Sequence, residues 1–264
     1  MVTIQPQRNQ NSQIDRLMRD RVVLITGASR GIGAATAKLL SRHGATVGIN
    51  YYSSEKAAQQ VVEEIASEGG KALAIKADVT DSQQVNAMVE EISEVLGAID
   101  TLVINANANF PIAPFVNYRW EDFEAKLIGE LQGAFFPCKA VVPSMIEHQR
   151  GCIIAISSGL SRNPGEGFSA HSTAKSGLDA FVKSLALELG PQGIRVNAIA
   201  PGLTITDATA RLPQEQKAAA AQFTPLQRNG LPEDIAGAIL LLASDQAKFI
   251  TGAYLPVSGG DQML

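Results

Sequence analysis

Two hydrophobic rhythms alternate along this chain. Short unbroken apolar runs are separated by longer segments in which apolar residues recur at helical spacing. Val22-Val23-Leu24-Ile25 predicts a buried strand over residues 21–26, followed by a helix over 31–43. A second strand at 46–50 leads into an amphipathic helix over 55–68. Ala58, Val61, Val62 and Ile65 share one face of it, and Gly69-Gly70 ends it. A strand at 72–77, a helix at 81–96 and a strand at 101–104 follow. A long helical stretch then covers 118–146, ahead of a strand at 152–156 and a Gly-, Pro- and Asn-rich loop at 159–169. The helix predicted over 174–189 turns Leu178, Phe181, Leu185 and Leu189 inward. A strand at 194–200, a helix at 232–243 and a strand at 254–257 close the pattern. Apolar strands alternating with helices predict a doubly wound parallel sheet of seven strands, covered by helices on both faces.

Two stretches stand outside this rhythm. Residues 1–20 are rich in Gln, Asn and Arg and predict a flexible leader, which leaves 21–264 as one domain. Residues 208–229 hold Leu212-Pro213, an Ala-rich helix and Thr224-Pro225. Within about 203–229 they read as a substrate lid.

Composition narrows the partners. With 45% hydrophobic and 18% charged residues, the chain of 264 residues can bury one large core. The formal net charge of −4 argues against a nucleic-acid partner. No apolar run approaches the roughly 18 residues of a membrane span, so no membrane partner is expected. No charged-then-apolar leader opens the sequence, and a cytoplasmic location is expected. Cys138 and Cys152 lack metal or redox spacing and read as two reduced, packed thiols; no metal site is expected.

The chemistry begins at Thr26-Gly27-Ala28-Ser29-Arg30-Gly31-Ile32-Gly33, between a strand and a helix. Glycines there let backbone N–H groups and a helix N-terminus approach a phosphate with no Cβ in the way. A Gly-rich turn that merely closes a βα unit is the plainer alternative. At the second strand's end stand Asn50-Tyr51-Tyr52-Ser53-Ser54, with no acid before Glu55. An acid at that place would bond ribose hydroxyls and repel a 2′-phosphate. Its absence, with Arg30 in the first loop to meet a phosphate, favours NADP(H); Arg30 as a solvated loop cation is the alternative.

This turn resembles the cofactor loop of the short-chain dehydrogenases/reductases, and the likeness extends from about Arg21 to Gly260. The 3-oxoacyl-ACP reductase-like members are the nearest in pattern. The resemblance implies a Rossmann-like fold and a cofactor held by Gly27, Ser29, Arg30, Gly31, Ile32 and Gly33. Asn50, Tyr51 and Ser53 would line its adenosine side, and Asp78-Val79 would touch the adenine. Asp78 could equally cap the next helix. Asn105, Ala106, Asn107 and Lys175 would lie towards the nicotinamide. Pro201, Gly202, Thr204 and Thr206 match the family's Pro-Gly…Thr loop at the nicotinamide amide and pyrophosphate. A homotetramer or dimer is the family's habit, and the apolar long helix with Phe135, Phe136 and Val141 permits one.

The sequence leaves the family pattern in three places. Where Asn-Asn-Ala-Gly is usual, Ile104 stands for the first Asn and Asn107 for the Gly. Glu130 falls where the active-site Asn belongs, unless the alignment slips by a turn and leaves it on the helix surface. His171 falls where the catalytic Tyr belongs. Ser158, thirteen positions earlier, and Lys175, at i+4, keep the family spacing.

The resemblance therefore implies Ser158, His171, Lys175 and Glu130 as the catalytic set, and three readings follow. One is an NADPH-dependent reductase of a ketone or β-ketoacyl thioester, with His171 as acid, directly or through a water. Glu130 would then support a protonated His171, and turnover would rise as pH falls through the imidazole range. Another is a non-redox enzyme (dehydratase, isomerase or acyl transfer) using Ser158, His171 and Glu130. The third is a catalytically silent protein that binds cofactor or a partner subunit.

Overall fold

The computed structural model describes residues 16–210 and 212–263. The leader expected over 1–20 therefore lies outside the described residues as far as residue 15. Residues 16–20 correct the rest of that expectation. They form a turn in which the Met18 side chain is fully buried, and the Met18 backbone N–H donates to the His43 carbonyl at 3.0 Å.

Seven parallel strands carry the fold: β1 (Val22–Ile25), β2 (Thr46–Tyr51), β3 (Lys71–Lys76), β4 (Thr101–Ile104), β5 (Gly151–Ile156), β6 (Ile194–Pro201) and β7 (Tyr254–Val257). They lie in the order β3-β2-β1-β4-β5-β6-β7. The helices are α1 (Gly31–Arg42), α2 (Glu55–Ser67), α3 (Ser82–Leu96), α4 (Trp120–Glu147), α5 (Ser169–Leu189), α6 (Gln214–Phe223) and α7 (Pro232–Ala243). Helices α1, α2 and α7 bury their apolar faces on one side of the sheet, and α3, α4 and α5 on the other. Both faces of the central strands are covered, which is why those strands read as unbroken Val, Ile and Leu. The expected fold class holds.

The strand order reverses between β1 and β4. In an open parallel sheet, the crevice at the carboxyl ends of the strands on either side of such a switch point is where ligands bind. The loops after β1, β4, β5 and β6 all emerge at those ends.

Helix boundaries differ where chemistry interrupts the apolar rhythm. Helix α5 starts at Ser169, earlier than the 174 expected, and buries Ala170 and His171. Its first turn is Ser-Ala-His-Ser, weak in helix propensity, so tertiary burial rather than sequence preference sets its start. The cap of α3 is Asp81, whose carboxylate accepts from the backbone of Gln83 and Gln84. Asp78, the other candidate, instead closes a short turn by accepting from Thr80 N and Oγ1 at 2.9 and 2.7 Å. Cys138 and Cys152 are buried free thiols, with burial pushing their pKa values up to about 12 and about 11. No helix among the described residues is long and apolar enough to cross a membrane.

Candidate active site

The turn after β1 is shaped by contacts that exclude side chains. Gly27 and Gly31 hold φ of +62° and +57°, a region that costs most residues strain. A Cβ at Gly33 would lie 2.7 Å from Asn105 Nδ2 and 2.8 Å from Ala28 Cα. Thr26 Oγ1 accepts the backbone N–H groups of Asn105 and Ala106 at 2.9 and 3.0 Å. Asn105 Nδ2 donates to the carbonyls of Thr26 and Gly27 at 2.9 and 3.0 Å. The ends of β1 and β4 are thus laced together at the switch point. Asn50 belongs to the same lacing. Its Oδ1 accepts from Gly27 N at 3.1 Å and its Nδ2 donates to the Ala77 carbonyl at 3.0 Å, so its buried amide shapes the turn.

Helix α1 begins directly behind this turn, with Ser29 and Ile32 half-buried and no acid in its first turn. Its free N–H groups and dipole make a seat for an anion. Arg30 is exposed beside it, 3.9 Å from the exposed carboxylate of Asp207. Thr206 lies against the same turn, 3.6 Å from where a Gly31 Cβ would be, and Thr204 is buried with its hydroxyl on the Gly202 carbonyl. The loop from Pro201 to Thr206 therefore faces the glycine turn. Tyr51 is buried and Ser53 exposed at the end of β2. Val79 packs towards α4, 3.3 Å from a Cβ placed on Gly133.

The second cluster is made of side chains. Lys175 and His171 sit one turn apart on α5, both buried. The Lys175 ammonium donates to the Ile156 carbonyl and to Glu130 Oε1, both at 2.6 Å. Ser158 follows two residues after Ile156. Its Oγ accepts from Leu160 N at 3.2 Å, and its carbonyl accepts from the Tyr254 hydroxyl at 3.1 Å. Glu130 projects from the buried face of α4, and its Oε2 holds Lys126 Nζ at 2.5 Å. Lys126 also donates to Asn107 Oδ1 at 2.8 Å and to the Ala108 carbonyl at 3.0 Å. The ring of Phe110 links the two halves of the cluster. It stacks on His171 with centroids 4.6 Å apart, and Lys126 Nζ lies 5.0 Å from its centre.

Proton affinities follow from this packing. Burial acts to raise the Glu130 pKa, but the charges of Lys175 and Lys126 outweigh it and hold the carboxyl at about 2. Burial pulls Lys126 down to about 8, against the attraction of Glu130. Burial, and then Lys175 and Lys126, lower His171 to about 3, while Glu130 acts weakly in the other direction. The expectation that Glu130 keeps His171 protonated is therefore overturned: both carboxylate oxygens are spent on lysines. The imidazole is neutral near pH 7, and its buried Nδ1 has no hydrogen-bond partner. Among the described residues His171 is hydrogen-bonded to neither Ser158 nor Glu130, so these three do not form the relay of an acyl-transfer triad. No group of three His, Cys, Asp or Glu among the described residues is placed to hold a metal.

Sequence reasoning missed Lys126 and Phe110. The available signal was a Lys and a Glu four residues apart on the face of α4 that otherwise carries Ala134, Cys138, Val141 and Met145 to the core.

Comparison with known proteins gives concordant matches. A family model described as enoyl-(acyl carrier protein) reductase matches residues 27–261. A 3-oxoacyl-[acyl-carrier-protein] reductase of Synechocystis sp. is 41% identical over 243 residues, spanning 91% of this chain and 96% of the relative. An L-rhamnose 1-dehydrogenase (NAD(P)(+)) of Sphingomonas sp. is 38% identical over 248 residues, spanning 93% and 97%. The crystal structure of a dehydrogenase/reductase from Sinorhizobium meliloti 1021 superposes with a TM-score of 0.87 at 35% identity, covering 94% of this chain and 98% of that one.

Proposed function

We propose a function from one premise: the chain belongs to the short-chain dehydrogenase/reductase family, with 3-oxoacyl-ACP reductases among its relatives. It is an NADP(H)-dependent oxidoreductase that reduces a ketone or a β-ketoacyl thioester, with His171 standing where the family has its catalytic Tyr and Glu130 where it has an Asn. The observation that carries this reading is the arrangement at the switch point. A turn with positive φ at Gly27 and Gly31, and with no room for a Cβ at Gly27 or Gly33, faces the carboxyl ends of β4 and β5, where Ser158, His171 and Lys175 gather.

The cradle fits a dinucleotide phosphate, because it ends on the free N–H groups of the first turn of α1 and no carboxylate stands in that turn. Gly31, Ile32 and Gly33, with Ser29, Thr204 and Thr206, would hold the pyrophosphate, and Arg30 the 2′-phosphate in place of its weak surface pair with Asp207. Asp78 and Val79 would border the adenine, and Asn105, Ala106 and Asn107 the nicotinamide side. When bound, NADPH supplies the hydride.

The chain's own residues polarise the carbonyl. The Ser158 hydroxyl accepts one bond from Leu160 N and keeps its proton free to donate to the substrate oxygen. His171 is neutral, and with Nδ1 sealed and unpartnered its ring proton is placed on Nε2, which donates the second bond. A neutral imidazole can act in this way as an electrophile without becoming the acid. The alkoxide takes its proton from water, and the two donors stabilise the charge that develops on oxygen. Lys175, fixed on Ile156 and Glu130, retains one N–H for the cofactor ribose. Helix α6, which contributes no buried residue, lies in the segment proposed as the lid. Ile128, Phe135 and Leu187 leave apolar surface on α4 and α5, which supports a homo-oligomer.

The test follows NADPH absorbance with β-ketoacyl thioesters and simple ketones from neutral to mildly acid pH. Turnover without an inflection near 6.5 is expected, since the imidazole is already neutral there. This replaces the rise on acidification that an imidazolium acid would give. His171→Tyr is expected to keep or raise the rate. Tight NADPH binding with no oxidation by any substrate would refute the reductase reading in favour of a non-redox or silent role.

A further inference from the structure

Lys126 has no exposed surface and all of its donor capacity is used: two bonds go to segment 107–110 and one to Glu130. Among the described residues, the two bonds from Lys126 are the only hydrogen bonds that residues 107–110 make. The segment has no helix or strand of its own. Nothing else polar fixes Phe110, yet its ring lies nearly parallel to the His171 imidazole, at 18°. Phe168 approaches the same imidazole edge-on, at 6.4 Å.

We propose that Lys126 is a positioning residue of this site: it clamps segment 107–110 to α4, so that Phe110 is held flat on His171 and Glu130 is held on Lys175. A buried ion pair is weak evidence for stability, since apolar residues of like volume often serve as well. The placement of Lys126 has a different consequence. It joins Asn107, Glu130 and His171 into one connected set through three contacts: an amide oxygen and a carboxylate oxygen on its ammonium, and a ring between its ammonium and the imidazole. It also adds a cation beside His171, whose other charged neighbours are Lys175 and Glu130.

The inference rests on the reductase reading for its effect on turnover, but not for its effect on His171. In the full-length protein, the wild-type His171 ring is expected to stay neutral down to about pH 5 by NMR of its ring nitrogens. Lys126→Met is expected to move protonation to higher pH. In the same variant kcat should fall on the order of 10- to 100-fold through misplacement of the imidazole, while NADPH affinity by fluorescence titration changes less than about twofold. Phe110→Ala leaves every buried charge in place, and is expected to shift His171 and kcat in the same directions; it decides the matter if Lys126→Met does not fold. A merely structural lysine would lower stability and leave the His171 titration and the kcat-to-affinity split unmoved, and that result overturns the proposal. If the wild type turns over no substrate, the reductase reading fails, and the NMR comparison still decides the role of Lys126.

Discussion

The two ends of the crevice are built on opposite principles. At the turn after β1 the working parts are backbone atoms, and the side chains around them (Thr26, Asn50, Asn105) spend their bonds on holding that backbone. At the ends of β4 and β5 the working parts are side chains, and the backbone (the carbonyls of Ile156 and Ala108) spends its bonds on holding them. The first arrangement tolerates few residue types because space is the constraint. The second tolerates new chemistry when several residues change together, because each polar atom needs only some partner. Asn107, Lys126 and Glu130 satisfy one another, which is how a carboxylate and two ammonium groups remain buried without an orphaned charge.

Removing the shared carboxylate tests the second principle hardest. Glu130→Gln leaves Lys126 and Lys175 facing each other without a counter-charge. It should lower unfolding stability by about 3–5 kcal/mol in urea titrations. Loss of less than about 1 kcal/mol would mean the cluster is held by packing and not by charge.

The first principle is tested by adding one atom. Gly33→Ala places a Cβ within 2.7–2.9 Å of Asn105, Ala28 and the Gly27 carbonyl. A destabilisation of about 1–3 kcal/mol is expected from overpacking, with NADPH binding lost in calorimetry. Unchanged cofactor affinity would show that the turn can open, and that its tight fit is not needed for binding.

These tests also mark where the sequence was readable. Glycine spacing, flanked by a strand and a helix, reports a backbone constraint that only glycine meets, so the cradle is legible in the sequence alone. The sheet was visible for a similar reason: β1, β4 and β5 are buried on both faces and must be continuously apolar. The side-chain cluster was half visible. Family spacing points to Ser158, His171, Lys175 and Glu130, but the protonation of His171 and Glu130 depends on burial and on Lys126, which lies 45 residues before His171 in the chain and comes near it only because α4 packs against α5. An isolated Lys on a helix gives no sign that it is sealed. Asn50 is expected on the adenosine side of the cofactor, whereas its amide is committed to Gly27 and Ala77.

A milder comparison separates the phosphate that the cradle holds from the one that Arg30 would hold. Arg30 is exposed and carries only a long pair with Asp207. Arg30→Ala should leave stability unchanged and weaken NADPH about tenfold, the usual worth of one charge-assisted contact. NADH affinity should change less than about twofold. Equal losses for both cofactors would refute the assignment of Arg30 to the 2′-phosphate.

The most gradual effect is a slope. The His171 pKa is lowered to about 3 in the folded chain, against the ordinary 6.5 once unfolded. Between those values the unfolded chain binds a proton that the folded chain refuses, so stability falls as pH drops through 6.5 and goes on falling towards 3. One such group contributes a slope approaching about 1.4 kcal/mol per pH unit well below 6.5. The Glu130 carboxyl adds a loss of the same sign, but only once pH falls below its unfolded value near 4.5. Urea unfolding at intervals between about pH 6.5 and 5 therefore isolates the imidazole. His171→Phe keeps a ring for Phe110 to stack on and removes the titration, so its stability should depend less on pH across that window than the wild type's. Parallel pH profiles for the two proteins would mean that His171 takes up its proton as readily folded as unfolded, and the ring would then titrate near 6.5 in the folded chain instead of staying neutral down to mildly acid pH.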